Sequence, residues 1–169
     1  MFRFLYPHYR VNSVLELTGE WLIQQEIFTI FLDVDNTIKF YKSTLVTSDV
    51  VDWIHELQRN HIQFYLVSNG LSKRISHVAE QLGLEYAAPA YKPFPYVCRR
   101  LMCHEKLDPQ YVAMVGDQVF TDVIAGNLAG IRTILVKPMR PEQEPFFTRM
   151  KRPFEQWVLK LERSEYSEQ

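Results

Sequence analysis

The chain is short of cysteine, of net charge and of long apolar runs, and each shortage removes a class of function. Only Cys98 and Cys103 occur in 169 residues. Their spacing fits neither a paired-cysteine metal knuckle nor a secreted disulfide framework. Both read as packing thiols of a protein in a reducing compartment. The formal charge is −1, from 19 basic and 20 acidic side chains. Such a balance makes no overall field to recruit nucleic acid or an anionic membrane. No segment reaches the roughly 18 apolar residues of a membrane span. The opening MFRFLYPHYRVNS has aromatic residues but no unbroken apolar stretch and no small-residue cleavage site, so it makes a poor signal peptide. A soluble, cytoplasmic protein is expected. Repeats, low-complexity tracts and obvious linkers are also missing. None of His8, His55, His61, His77 and His104 pairs with another at metal-ligand spacing on a helix, and they read as surface or packing residues.

What remains is a chain that is 47% hydrophobic and 14% aromatic, enough to bury a sizeable core. Its length suits one compact domain over 1–169, with a core at about 26–140 and a helix from each end of the chain packed on it. After an irregular start, Asn12 or Ser13 can cap a helix in which Val14, Leu17 and Trp21 recur at roughly helical spacing. Phe28 to Leu32 is an apolar, β-branched run too short for a typical helix, and predicts a fully buried strand. Ser48 can cap a helix with Val50, Val51, Ile54 and Leu57 inward, and Ile62 to Val67 predicts a second buried strand. A turn at Ser68-Asn69-Gly70 leads to a helix capped by Ser72, carrying Ile75, Val78, Ala79 and Leu82 and ended by a left-handed Gly83. A short strand near Tyr86, helix 94–105, strand 112–115, helix 120–129 ended by Gly130, and strand 132–136 complete the order. This alternation predicts an α/β fold, with a mostly parallel sheet covered by helices on both faces.

In open sheets of this kind ligands bind beyond the carboxyl ends of the strands. Three predicted strands end in polar residues: Asp33-Val-Asp35-Asn-Thr37, Ser68-Asn69 and Gly116-Asp117. Carboxylates gathered at one edge are costly to desolvate unless a cation or a shared proton joins them. Magnesium suits such hard oxygen donors, and no His/Cys set competes for zinc. Lys92, restricted by Pro93, adds a positive charge. Carboxylates, metal, lysine and hydroxyl together make a kit for phosphoryl transfer. Any one of these aspartates alone would read as a turn-former or helix cap; the ordered set is what carries the signal. Asn69 and Asn127 read equally as site residues and as turn or cap residues.

The ordered set Asp33-x-Asp35-x-Thr37, Ser68-Asn69, Lys92-Pro93 and Gly116-Asp117-x-x-x-x-Asp122 resembles the four motifs of the haloacid dehalogenase (HAD) superfamily, an HAD-like three-layer α/β/α sandwich. The stretches DVDNTI, SNG, KP and GDQVFTDVIAGN resemble its small class IIIA branch, the YqeG-like phosphatases. The resemblance runs over about residues 5–140. It implies that Asp33 attacks phosphorus to form an aspartyl-phosphate, and that Asp35 protonates the leaving group and then deprotonates water. It further implies that Thr37 steadies the turn, that Ser68 and Asn69 bind phosphate, and that Lys92 offsets charge. Mg2+ would be held by Asp33, the Asp35 backbone carbonyl and Asp117, with Asp122 either a ligand or the orienter of Lys92.

Capped members of this superfamily insert a domain after the first motif or between the second and third. Only 32 residues separate Asp35 from Ser68 and 23 separate Ser68 from Lys92, which leaves no room for a cap. Capless members often act on bulky substrates, and a related branch removes phosphate from the membrane lipid phosphatidylglycerophosphate. Phe154, Trp157, Val158 and Leu161 follow i, i+3, i+4, i+7 spacing among Lys151, Arg152, Lys160 and Arg163. This makes either an amphipathic helix packed on its own domain or one docked on anionic lipid. Phe2, Phe4, Tyr6 and Tyr9 carry the same pair of readings, core packing or interfacial anchoring. The expected partner is therefore a phosphorylated substrate, with a lipid phosphate at a membrane surface as one form of it. Two other classes stand beside the phosphatase. A signalling receiver also uses a phosphorylated Asp and a Lys-Pro, but keeps its acidic pair and its phosphoacceptor on different strands. A binding scaffold would have no need of the full set of catalytic residue types.

Overall fold

A computed structural model describes residues 3–41 and 43–167, with side chains through residue 160. The strands are β1 (Tyr9–Val11), β2 (Thr29–Leu32), β3 (Gln63–Val67), β4 (Glu85–Ala87), β5 (Val112–Gly116) and β6 (Arg132–Val136). They form one sheet in the order β1-β6-β5-β2-β3-β4, with every pair parallel. The helices are α1 (Gly19–Gln24), α2 (Ser48–Arg59), α3 (Ser72–Leu82), α4 (Tyr96–Glu105), α5 (Ile124–Ala129) and α6 (Phe146–Ser167).

The two-residue period of a strand sorts the core into two layers. Ile30, Leu32, Leu66, Ala113 and Val115 face Val50, Ile54 and Leu57 of α2 and Ile75, Val78 and Leu82 of α3. Their neighbours Phe31, Tyr65, Val67, Val112 and Met114 face Cys98 and Met102 of α4 and Ala129 of α5. The central strands thus bury both faces, which is why each reads as an unbroken apolar run. Gly83 and Gly130 close α3 and α5 in left-handed conformations, as their positions predict.

The two ends of the chain depart from the sequence-based expectation. The start is not irregular: Tyr9–Val11 adds an edge strand beside β6. His8 fixes this pairing, its Nδ1 accepting from the Thr133 N–H at 3.1 Å. The single helix expected after Ser13 is two pieces. Ser13 caps a 3-10 turn at Val14–Glu16, and Thr18 caps α1, because the extended Leu17 and Thr18 between them break the helical path. Ser48 and Ser72 are first helical residues rather than caps; Thr47 and Leu71 hold the cap positions, and Ser72 Oγ donates to the Ala88 carbonyl. The helix expected over 120–129 opens as a π turn at Val119–Val123. In α6, Val158 is buried but Phe154 and Trp157 are 64% and 61% exposed, while the acidic Glu155 is only 4% exposed. The side chains of Leu161 and Arg163, and all of Phe2, lie outside the described residues. Phe4 is exposed, and Tyr9 packs edge-on to Trp21.

Cys98 is a packing residue, burial pushing its thiol up to about 11 despite nearby Lys92. Cys103 is exposed, against expectation. Among the described residues no helix is long and apolar enough to cross a membrane. One helix lies between β2 and β3, and one helix with the short β4 lies between β3 and α4, so among the described residues no inserted domain stands over the sheet edge.

Candidate active site

Strand register brings the polar strand ends together. Leu32 pairs with both Leu66 and Val115, so Asp33, Ser68 and Asp117 leave the sheet at nearly one level. Asp33 stays anchored to the ladder through its N–H to the Val115 carbonyl at 2.9 Å. Lys92 enters from the loop before α4 and is fully occupied. Its Nζ donates to Asp33 Oδ1 at 2.7 Å, to Asp122 Oδ1 at 2.6 Å and to the Val67 carbonyl at 2.7 Å. Asn69 positions this lysine: its amide accepts from the Lys92 N–H and donates to the Lys92 carbonyl, both at 2.8 Å. Both ends of that amide are therefore spent on backbone. Ser68 is buried beside it and accepts from the Gly70 N–H at 3.2 Å, which leaves its hydroxyl proton for another acceptor.

Asp122 uses its second oxygen to accept from the Gln118 N–H at 3.0 Å, so it orients Lys92 and caps the turn that carries it. Thr37 Oγ1 lies 3.3 Å from Asp33 Oδ2 and 3.4 Å from Asp117 Oδ1. Those are the two oxygens of Asp33 and Asp117 that no cationic side chain takes among the described residues. Asp35 stands apart from this group. Arg74 grips it with two bonds of 2.6 Å, and Lys39 adds a third of 2.8 Å. Burial alone would raise the Asp35 pKa, but the hydrogen bonds from Arg74 and Lys39 outweigh it and hold the carboxyl below its ordinary range.

Acid outnumbers base at this edge. Among the described residues six carboxylates, Asp33, Asp35, Asp117, Asp122, Glu144 and Glu155, are tied by ion pairs to four cations, Lys39, Arg74, Lys92 and Arg152. The two acids at the centre of this edge are both held above their ordinary range. Burial pushes Asp33 up to about 6, with Lys92 opposing and Asp122 adding to the rise. Asp117 is raised well above the usual carboxylate range, again by burial first, with Arg152 opposing. One divalent cation would balance the charge. The donor set suits it, since Asp33, Asp117 and Asp122 offer oxygens within 4.8 Å of one another, all buried. Hard oxygen donors without sulfur or imidazole match magnesium. Asn36, between Asp35 and Thr37, also buries an Oδ1 that has no hydrogen-bond partner among the described residues.

The structure thus brings Asp33, Thr37, Ser68, Asn69, Lys92, Asp117 and Asp122 to one edge, with Asp35 on the wall of the same cavity of about 720 Å³. Asn127 is elsewhere, donating to the Phe4 and Tyr6 carbonyls and accepting from Thr133, so it ties the start of the chain to β6. Five charged residues of the site, Lys39, Arg74, Glu144, Arg152 and Glu155, carry no signal in the motifs. Lys39 alone has a local cue, lying four residues after Asp35.

Comparison with known proteins agrees with this geometry. The sequence profile of the haloacid dehalogenase-like hydrolases matches residues 11–130. The chain is 30% identical to "Probable phosphatase YqeG" of Bacillus subtilis (strain 168) over 93% of its own length and 91% of that protein's. It is 24% identical to the chloroplastic/mitochondrial phosphatidylglycerophosphate phosphatase 1 of Arabidopsis thaliana, over 94% of this chain but about half (48%) of the plant protein. Among solved structures, a cobalt-bound deoxy-D-mannose-octulosonate 8-phosphate phosphatase from Haemophilus influenzae superposes with a TM-score of 0.55 at 17% identity, over 66% of this chain and 69% of that one. The chain belongs to the haloacid dehalogenase-like hydrolase family, as one of its phosphatases.

Proposed function

We propose that the chain is a magnesium-dependent phosphomonoester phosphatase that works through an aspartyl-phosphate on Asp33, and that its substrate is a bulky phosphoester of the phosphatidylglycerophosphate kind. The carrying observation is Asp33 itself. Lys92 fixes its Oδ1, its Oδ2 faces Asp117 across the Thr37 hydroxyl, and Asp35 lines the same cavity.

In the first step a carboxylate oxygen of Asp33 attacks phosphorus, the ester P–O bond breaks, and the leaving alkoxide takes a proton from Asp35. In the second, Asp35 takes a proton from water as the water oxygen attacks phosphorus, which frees inorganic phosphate and restores the Asp33 carboxylate. Arg74 and Lys39 together hold Asp35 ionised, the state the second step requires, so both contacts have to loosen for Asp35 to carry the proton of the first. Lys92 neutralises Asp33 and an incoming phosphoryl oxygen, and the Ser68 hydroxyl donates to another. Magnesium, which Asp33, the Asp35 backbone carbonyl and Asp117 would hold with Asp122 beside them, supplies charge neutralisation when bound.

The cavity itself is lined mostly by polar and charged side chains, as a phosphate group needs, and a bulky apolar substrate is favoured by the surface beside it. Among the described residues no inserted domain covers the cavity. The helix α6 lines the cavity with Thr148 and Lys151 and exposes Phe146, Phe147, Met150, Phe154 and Trp157. The test is magnesium-dependent phosphate release from phosphatidylglycerophosphate in mixed micelles, set beside its soluble headgroup analogue. Preferential release from the lipid is expected. Cleavage of soluble phosphoesters or phosphoproteins with the lipid untouched would retain the phosphatase and reject the lipid. No turnover of any phosphoester would reject both.

Gly116 gives a second prediction. A Cβ there would lie 2.3 Å from Asp122 Cγ and Oδ2, an impossible approach. Asp122 cannot yield without dragging Lys92, so Gly116→Ala should lower kcat about 100-fold, as an ångström-scale misplacement does. Wild-type turnover of a folded Gly116→Ala protein would show that Asp122 does not set the position of Lys92.

A further inference from the structure

We propose that Arg152, carried to the catalytic edge by α6, is a positioning residue for Asp117: it takes Oδ2 and thereby presents Oδ1 to the cation site shared with Asp33. The inference rests on the magnesium reading above and adds a residue from outside all four motifs.

All five N–H groups of this guanidinium have partners. Nε donates to Glu144 Oε2 at 3.1 Å and Nη1 to Glu155 Oε2 at 3.1 Å. Nη2 donates to Glu144 Oε1 and to Asp117 Oδ2, and Nη1 to the Asp117 backbone carbonyl at 2.6 Å. The two glutamates are held in turn. Asn36 Nδ2 donates to Glu144 Oε1 at 3.0 Å, and the Phe120 N–H donates to Glu155 Oε1 at 3.1 Å. The Arg152 side chain is only 14% exposed. Glu144 and Glu155, through Asn36 and the Phe120 N–H, already tie α6 and the turn before it to the segments that follow β2 and β5, so a staple does not require Arg152 to reach Asp117. The further pair of bonds, to the carboxylate and the carbonyl of one residue, fixes the rotamer of Asp117 from both sides. It leaves Asp117 Oδ1 beside Asp33 Oδ2, with the Thr37 hydroxyl between them. A lysine could not do the same, because a point charge on a flexible stem cannot span three carboxylates in fixed directions.

Partners that hold a metal ligand in place are worth roughly 10–100-fold in metal affinity. Titrating MgCl2 into the metal-stripped full chain by calorimetry should therefore show affinity at least about tenfold weaker in both Arg152→Gln and Arg152→Lys than in the wild type. Their phosphatase activity should recover as magnesium is raised, with substrate KM little changed. Melting without magnesium establishes that each variant is folded, and Arg152→Lys, which keeps the charge, serves should the glutamine variant not fold. Affinity within about twofold of wild type in a folded variant would reduce Arg152 to a structural staple. Tighter binding would make it a competitor of the metal, and either result overturns the proposal. If the wild type binds no magnesium, the metal reading of the site falls and this inference falls with it.

Discussion

Asp33→Asn protein should release phosphate at least about 1,000-fold more slowly than wild type, the scale of loss seen when a nucleophile is removed, yet melt no lower in the absence of divalent cations. The amide cannot attack phosphorus, so neither chemical step begins. The fold should not suffer. Lys92 keeps two of its three partners, Asp122 and the Val67 carbonyl. Burial holds the Asp33 carboxyl near 6 in the folded chain, above the 3.8 of an unperturbed aspartate. A folded pKa above the unfolded one means that ionisation favours unfolding. The contribution of this group to stability is therefore greatest below pH 3.8, declines between 3.8 and 6, and is a penalty above that. An asparagine escapes the penalty, so at about pH 7.5 its melting temperature should equal or exceed that of wild type. Activity lost with stability kept or gained is the mark of a group retained for chemistry at a cost to the fold. Melting well below wild type would make Asp33 a structural residue, and undiminished phosphate release would remove it as the nucleophile.

Lys92→Met should lose stability as well as activity. Burial by itself would lower the pKa of this lysine, but Asp122 and Asp33 together raise it above its ordinary value, so the ammonium is held firmly charged. Its removal leaves two buried carboxylates facing each other and strips the Val67 carbonyl of its donor. Breaking a buried pair from one side costs about 3–5 kcal/mol, which for a chain of this size lowers Tm by roughly 6–20 °C. The double variant Lys92→Met with Asp122→Asn should recover part of the Tm but none of the turnover, since it relieves the repulsion without restoring the cation. Equal melting of Lys92→Met and wild type would show that the ion pairs carry no net stability.

Asp33 and Lys92 are both legible in the sequence because each sits where a short pattern meets a strong physical constraint. Central parallel strands must be apolar on both faces, so Thr29–Leu32 and Val112–Gly116 announce themselves, and the polar residues after them stand out by contrast. The edge strand Tyr9–Val11 has no such constraint: three residues, one of them Arg10, gain their conformation from a partner far along the chain. The break at Leu17–Thr18 is hidden because Val14, Leu17 and Trp21 keep a helical spacing across it. Spacing misplaces the inward face of α6 for a related reason. It points Phe154 and Trp157 to the core, whereas Glu155 is buried because Arg152 and the Phe120 N–H satisfy it. Arg74 and Arg152 follow the same logic: each is defined by the carboxylate it meets across the fold, and no local pattern encodes that meeting.

The pairing of β1 with β6 also bears on how the chain is made. Tyr9 is matched with Ile134, 125 positions later. At ribosomal speeds of about 5–20 residues per second, the first strand waits roughly 6–25 s for its neighbour in the sheet to be synthesised. Until then the side of β5 that β6 will cover is an open template for other strands. The nascent protein is thus most exposed to misassembly late in translation, when its catalytic motifs already exist but β6, the strand that joins β1 to β5, does not.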